Sequence, residues 1–127
     1  MGDYTAKRIG DMEAAFGGGF VKARAELGVS SFGMQIIRMP PSSDGHPEHD
    51  HATDGQEEVY VVLSGSGWMD IEGERVDLAS DVLVRVGPSV KRKVYSGPEG
   101  LQMLVLGGCP GEPFKIAPFT ELEAATA

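Results

Sequence analysis

The three histidines of the chain, His46, His49 and His51, all fall inside one short segment, HPEHDH. Such clustering favours metal binding, because a neutral imidazole nitrogen is a good ligand for divalent transition metals and a His-rich tract concentrates those donors. Side chains alternate along an extended chain, so His49 and His51 point to one face. Together they make half of a site that would hold a metal at about 2.0 to 2.1 Å from each nitrogen. Downstream, Glu58 opens the run EVYVVL, whose alternation puts Glu58, Tyr60 and Val62 on one face of a strand. A carboxylate at the start of an apolar strand is costly to bury alone, and a metal held by the two histidines would be its partner. The same residues also read as a polar surface loop, with solvated histidines and with Glu57 and Glu58 forming an acidic edge that discourages sheet aggregation.

Positioning these groups falls to short strands. The chain has 127 residues, enough for one domain, and its 41% hydrophobic and 24% charged residues exclude disorder and a disulfide-stapled mini-protein. Its 18 Gly and 8 Pro, without a collagen-like period, imply many turns. From residue 31 onward, β-branched and apolar runs bounded by Gly, Pro, Ser or Asp occur at about 32–39, 57–63, 67–72, 75–78, 82–86, 91–95, 101–106 and 114–117. Between two of them, Glu72-Gly73-Glu74 reads as a hairpin turn in which Gly73 supplies positive φ. Runs this close leave no room for the helical crossovers of a parallel sheet, so the expected fold class is all-β and antiparallel. The first thirty residues differ: a short amphipathic turn at 11–16, the triple glycine Gly17, Gly18 and Gly19, and a weak helical segment at 21–27. The expected organisation is an N-terminal extension over 1–30, a barrel over 31–117 and a mobile tail over 118–127.

Eleven Lys and Arg against 19 Asp and Glu leave a formal charge of -8, which repels phosphate backbones and anionic lipid. Nucleic acid and membranes are therefore not expected partners, and no apolar run reaches the length of a membrane span. The single Cys109 cannot form an internal disulfide and reads as a small buried apolar residue; with no signal-peptide core, the expected location is the cytoplasm. No nucleophile elbow, phosphate loop or zinc-spaced Cys pair occurs.

The segment from His49 to Gly65 resembles the first motif of the cupins, small antiparallel barrels of the double-stranded β-helix or jelly-roll type. His49 and His51 match that family's His-x-His, and six residues separate Glu58 from Gly65, so Glu58 takes the position of the acidic ligand. Two or three extra residues between His51 and Glu58 read as a loop around Asp54-Gly55. The second motif is altered. The turn LASD, the strand VLVRV and the turn GPSVKR place Arg92 where the family has a third histidine, with Ser96 at a following Asn position.

What the resemblance implies is a cupin barrel over roughly residues 31 to 108. Its pocket would be lined by His49, His51, Glu58, Tyr60 and Arg92 and would take a small polar or anionic molecule. His49, His51 and Glu58 would be ligands for a divalent metal (Fe, Zn, Mn or Ni), with His46 as a further candidate from the loop side. Two function classes follow: a metal-dependent oxygenase or isomerase, and a metal-free ligand-binding or regulatory module. An arginine cannot ligate a divalent metal. Arg92 would either pair with Glu58 or bind a substrate carboxylate or phosphate bidentately, and Tyr60 would offer a hydroxyl to the ligand or serve as packing. Apolar Phe16, Phe20, Val21 and Leu27 in the N-terminal segment, together with open sheet edges, lead to the expectation of a two-fold homodimer.

Overall fold

The computed structural model describes residues 2–123; Met1 and residues 124–127, the end of the expected tail, lie outside the described residues. Seven strands and one short helix follow in the order β1 (Ala14–Ala15), β2 (Phe20–Val21), α1 (Ala23–Leu27), β3 (Gly33–Met39), β4 (Glu57–Ile71), β5 (Glu74–Leu78), β6 (Leu83–Val86) and β7 (Arg92–Gly108). Every pairing is antiparallel, as expected. The hydrogen-bonded order is β1-β2-β3-β7-β4-β5, with β6 on the other side of β4. No helix among the described residues is long and apolar enough to cross a membrane.

Four of the runs read as separate strands are halves of two long ones. The runs at 57–63 and 67–72 join into β4, and those at 91–95 and 101–106 join into β7. Each long strand changes neighbours along its length. The first half of β4 pairs with β6 and the far half of β7, and its second half pairs with β5 and the near half of β7. The change coincides with register shifts between Val62 and Ser64 and between Gly65 and Gly67. Tyr60, Val62 and Met103 from one half share a buried cluster with Met69, Leu78 and Val94 from the other, so the sheet folds over and encloses the core. The sheet is bent rather than closed.

Small residues make that bend possible. Gly65 has φ +80°, and a Cβ there would run into the carbonyl group of Gly100 on β7. Gly65→Ala should therefore lower stability by about 2 kcal/mol or more, combining left-handed strain with a backbone collision. At Gly73 φ is +90° but a Cβ would meet nothing within 4 Å, so Gly73→Ala should cost only about 1 kcal/mol. Urea unfolding midpoints of the two variants check this ordering.

The hairpin at Glu72 and Gly73 forms as read. Both residues have positive φ, 50° and 90°, and the Gly73 N–H donates to Asp70 Oδ1 at 2.8 Å. On β4, Met69 is buried in the core, while Trp68 faces outward, stacked on Tyr95 with ring centroids 5.0 Å apart. The run at 114–117 is not a strand. Pro113 and Pro118 flank it, and a residue without an N–H cannot donate to a ladder.

The N-terminal residues join the sheet. Strand β2 pairs with β3, and Val21, Ala23 and Ile36 form a second buried cluster on the face of β3 opposite the main core. The buried Lys22 donates from Nζ to Glu13 Oε2 and to the Glu121 carbonyl, both at 2.8 Å. Arg24 Nη2 lies 3.2 Å from Glu121 Oε1. Buried cations need such partners. Here the partners tie the C-terminal segment to the N-terminal strands and bring Phe119 beside Phe16 and Phe20.

Candidate functional site

His49 meets the start of β7 at an isolated bridge. Its N–H donates to the Arg92 carbonyl and its carbonyl accepts from the Arg92 N–H, both at 3.0 Å. Two residues on, the His51 N–H donates to the Pro88 carbonyl at 2.7 Å. The segment is thus pinned to β7 and to the turn before it rather than paired as a strand. His49 and His51 still converge, with ring centroids 5.2 Å apart. Glu58 arrives on the inward face of β4 with Tyr60 and Val62.

Glu58 Oε1 lies 3.6 Å from His49 Nε2 and 3.3 Å from His51 Nε2. One donor atom from each of the three residues lies within 4.8 Å of the others. Two ligand atoms on one ion at about 2.1 Å are about 3.0 to 3.4 Å apart, depending on the angle between them. The 3.3 Å separation falls in that range and the 3.6 Å separation lies just beyond it, so a small shift of His49 would let the three groups share a metal.

The outer nitrogens decide which lone pairs face inward. His49 Nδ1 lies 3.2 Å from the Pro47 carbonyl oxygen, which can only accept, so the ring donates there. His51 Nδ1 lies 3.0 Å from Asp54 Oδ1 and donates to that carboxylate. With both Nδ1 atoms protonated, the Nε2 atoms of the neutral rings present lone pairs toward a carboxylate, so three acceptors face one another. His51 Nε2 is buried without a hydrogen-bond partner. A cation between them, or an added proton, relieves the conflict.

The electrostatics follow from this arrangement. Burial pushes the Glu58 carboxyl up, but the adjacent His49 and His51 imidazoles and the Tyr60 hydroxyl bond outweigh it and hold the group well below the usual carboxylate range. The adjacent Glu58 carboxylate raises His51 against the opposing effect of burial. Tyr60 donates its hydroxyl to Glu58 Oε1 at 2.8 Å, and burial raises its own pKa further. That hydroxyl is committed to orienting Glu58. His46 stands 5.8 Å from His49, centroid to centroid, and burial lowers its pKa to about 4. It stands beside the three-residue cluster without joining it.

Arg92 is wholly buried, with Nη2 3.7 Å from Glu58 Oε1 and Nη1 donating to the Val90 carbonyl at 2.8 Å. It does not line the cavity into which His49, His51, Glu58 and Tyr60 open. The guanidinium lies behind the carboxylate, out of reach of a ligand there. That cavity measures about 1140 Å³, ample for a small organic molecule.

Sequence reading singled out neither Asp54 as the partner of His51 nor the rim formed by Phe16, Phe20 and Phe119. The i, i+3 spacing of His51 and Asp54 was a visible hint, whereas nothing local marks residues 16 and 119 as neighbours.

Comparison of the sequence with known family models and with curated proteins finds no match. Among solved structures, the chain is similar to a cupin protein from Bacteroides fragilis at 21% identity and a TM-score of 0.71, over 92% of this chain and 93% of that one. The fold is that of the cupins. The chain is also similar to the Cupin_2 domain of an XRE family transcriptional regulator from Enterobacter cloacae, at 25% identity and a TM-score of 0.54, over 65% of this chain and 86% of that one. A third similarity is to a DMSP lyase, at 19% identity and a TM-score of 0.55, over 68% of this chain and 45% of that one. The cupin scaffold thus serves enzymes and regulators alike, and fold does not choose between them.

Proposed function

We propose that this cupin holds one divalent metal ion between His49, His51 and Glu58, and acts through it on a small molecule bound in the cavity. The observation that carries this reading is the outward commitment of both Nδ1 atoms, to Pro47 and to Asp54, which leaves two Nε2 lone pairs and a carboxylate oxygen aimed at one point. Two histidines and one carboxylate suit Fe(II) with open positions, and Zn, Mn or Ni are also compatible with these donors. When bound, the metal supplies Lewis acidity and a place for an oxygen atom of the ligand, the chemistry of an oxygenase or isomerase. The chain's own groups supply the rest. Asp54 fixes the His51 tautomer, Tyr60 orients Glu58, and Arg92 balances the buried carboxylate from behind.

A second reading, a metal-free binding or regulatory module, is favoured by one observation: the permanent cation of Arg92 already lies 3.7 Å from Glu58. Metal analysis separates the two. Untagged protein is expected to hold about one ion per chain after incubation with Fe(II), Zn(II), Mn(II) or Ni(II); less than about a tenth of an equivalent with all four establishes the metal-free module.

We also propose that residues 31–117 form the barrel with residues 1–30 as an extension to it, and that two chains pair as a homodimer. Leu63 and Leu83 are 41% and 69% exposed on neighbouring strands at the β6 edge, which is apolar surface a second copy would cover. Light scattering at micromolar concentration should give twice the chain mass, and a monomer mass rejects the dimer.

A further inference from the structure

The triple glycine and the aromatic residues around it are not used by the metal site, yet they border the same cavity. Phe16 has φ +54°, a left-handed conformation unfavourable for an aromatic residue, and it is followed by Gly17 and Gly18 at φ +70° and +96°. A Cβ on either glycine would meet nothing within 4 Å, so backbone conformation rather than crowding calls for glycine there. The outcome is a phenyl ring held at the cavity mouth while still 57% exposed. Strain and an exposed aromatic ring are both unfavourable, and observed strain of this kind clusters at binding sites.

Phe16 meets Phe20 and Phe119 there. Centroid separations are 6.1 Å for Phe16–Phe20, 6.1 Å for Phe16–Phe119 and 5.4 Å for Phe20–Phe119. Phe119 is itself 42% exposed, so two of the three rings leave area uncovered within their own chain. Charge around the cavity is unsuited to an anion. Its one permanently cationic lining residue among those described, Arg38, donates from Nε to Gln102, and Arg92 lies out of reach. The Glu58 carboxyl group lines the wall, and the whole chain carries a formal charge of -8.

We propose that the rim of Phe16, Phe20 and Phe119 selects an uncharged, ring-bearing small molecule, gripping its apolar body at the mouth while its polar end points toward the histidine and glutamate wall. The proposal rests on the cavity being the ligand site, as in the function proposed above, and is independent of whether a metal is bound. Its test therefore uses protein stripped of metal with EDTA.

The neutral fluorescent probe N-phenyl-1-naphthylamine should bind saturably at about one site per chain, with enhanced and blue-shifted emission. Phe16→Ser and Phe119→Ser, both at exposed positions, should each weaken binding about ten-fold. Leu83→Ser, on the outer sheet face, should leave it unchanged. Uncharged 2-naphthol should displace the probe at concentrations about ten-fold lower than the anion 2-naphthoate. The proposal is overturned by non-saturable binding, by full affinity in both Phe variants, by equal loss in Leu83→Ser, or by 2-naphthoate competing as well as 2-naphthol. Failure of metal binding alone would leave all of these results in place.

Discussion

His49→Ala is expected to abolish tight metal binding while the barrel stays folded. His49 is partly exposed and held to β7 through its backbone, so removing its ring leaves the Arg92 bridge intact. Loss of a ligand atom should lower affinity by more than about 100-fold, because changes in groups that merely orient ligands already cost about 10 to 100-fold. Asp54→Ala supplies that milder case. Without its carboxylate, His51 loses the acceptor for its Nδ1 proton and is free to place that proton on Nε2, which cannot then bind metal. Affinity should fall by about 10 to 100-fold, or roughly 1.4 to 2.7 kcal/mol. Calorimetric titration with Zn(II) or Ni(II) gives both values. Equal affinity in Asp54→Ala and the parent would remove the orienting role assigned to Asp54.

Arg92→Ala should be the more damaging change to the fold. Arg92 is the largest fully buried side chain in the structure, and its removal leaves both a void and an ionised Glu58 without its permanent counter-charge. Removing one partner of a buried ion pair costs about 3 to 5 kcal/mol, and the lower end applies at a separation of 3.7 Å. The double variant Arg92→Met with Glu58→Gln should recover most of this loss, since neither buried charge remains. Arg92→His, which restores the residue the cupin motif has at this position, should raise metal content by adding a third imidazole. Urea unfolding in EDTA measures the stability terms. Under saturating metal the Arg92→Ala deficit should shrink, because a bound cation neutralises the same carboxylate. Equal stability of Arg92→Ala and the parent would show that the guanidinium does not support Glu58.

Much of this protein was legible in its residues because short-range rules decided it. The alternation of EVYVVL put Glu58, Tyr60 and Val62 inside, the pair Glu72-Gly73 made the hairpin, and the His-x-His and glutamate spacing pointed to the cupin barrel and to the cluster that the structure assembles. These are effects of backbone sterics and side-chain parity, which act over a few residues. Tertiary structure decided what depends on distant segments meeting. Whether two apolar runs were separate strands or one bent strand rested on the close approach of Gly65 to Gly100. Whether Arg92 faced a ligand or lay behind Glu58 rested on its burial between layers. The aromatic rim joins residues 16 and 119, about a hundred positions apart, through the Lys22 hydrogen bond to the Glu121 carbonyl and the Arg24–Glu121 ion pair, which no local pattern encodes. Parity along a strand shows which face a side chain takes, but only the packing of the layers shows what that face meets.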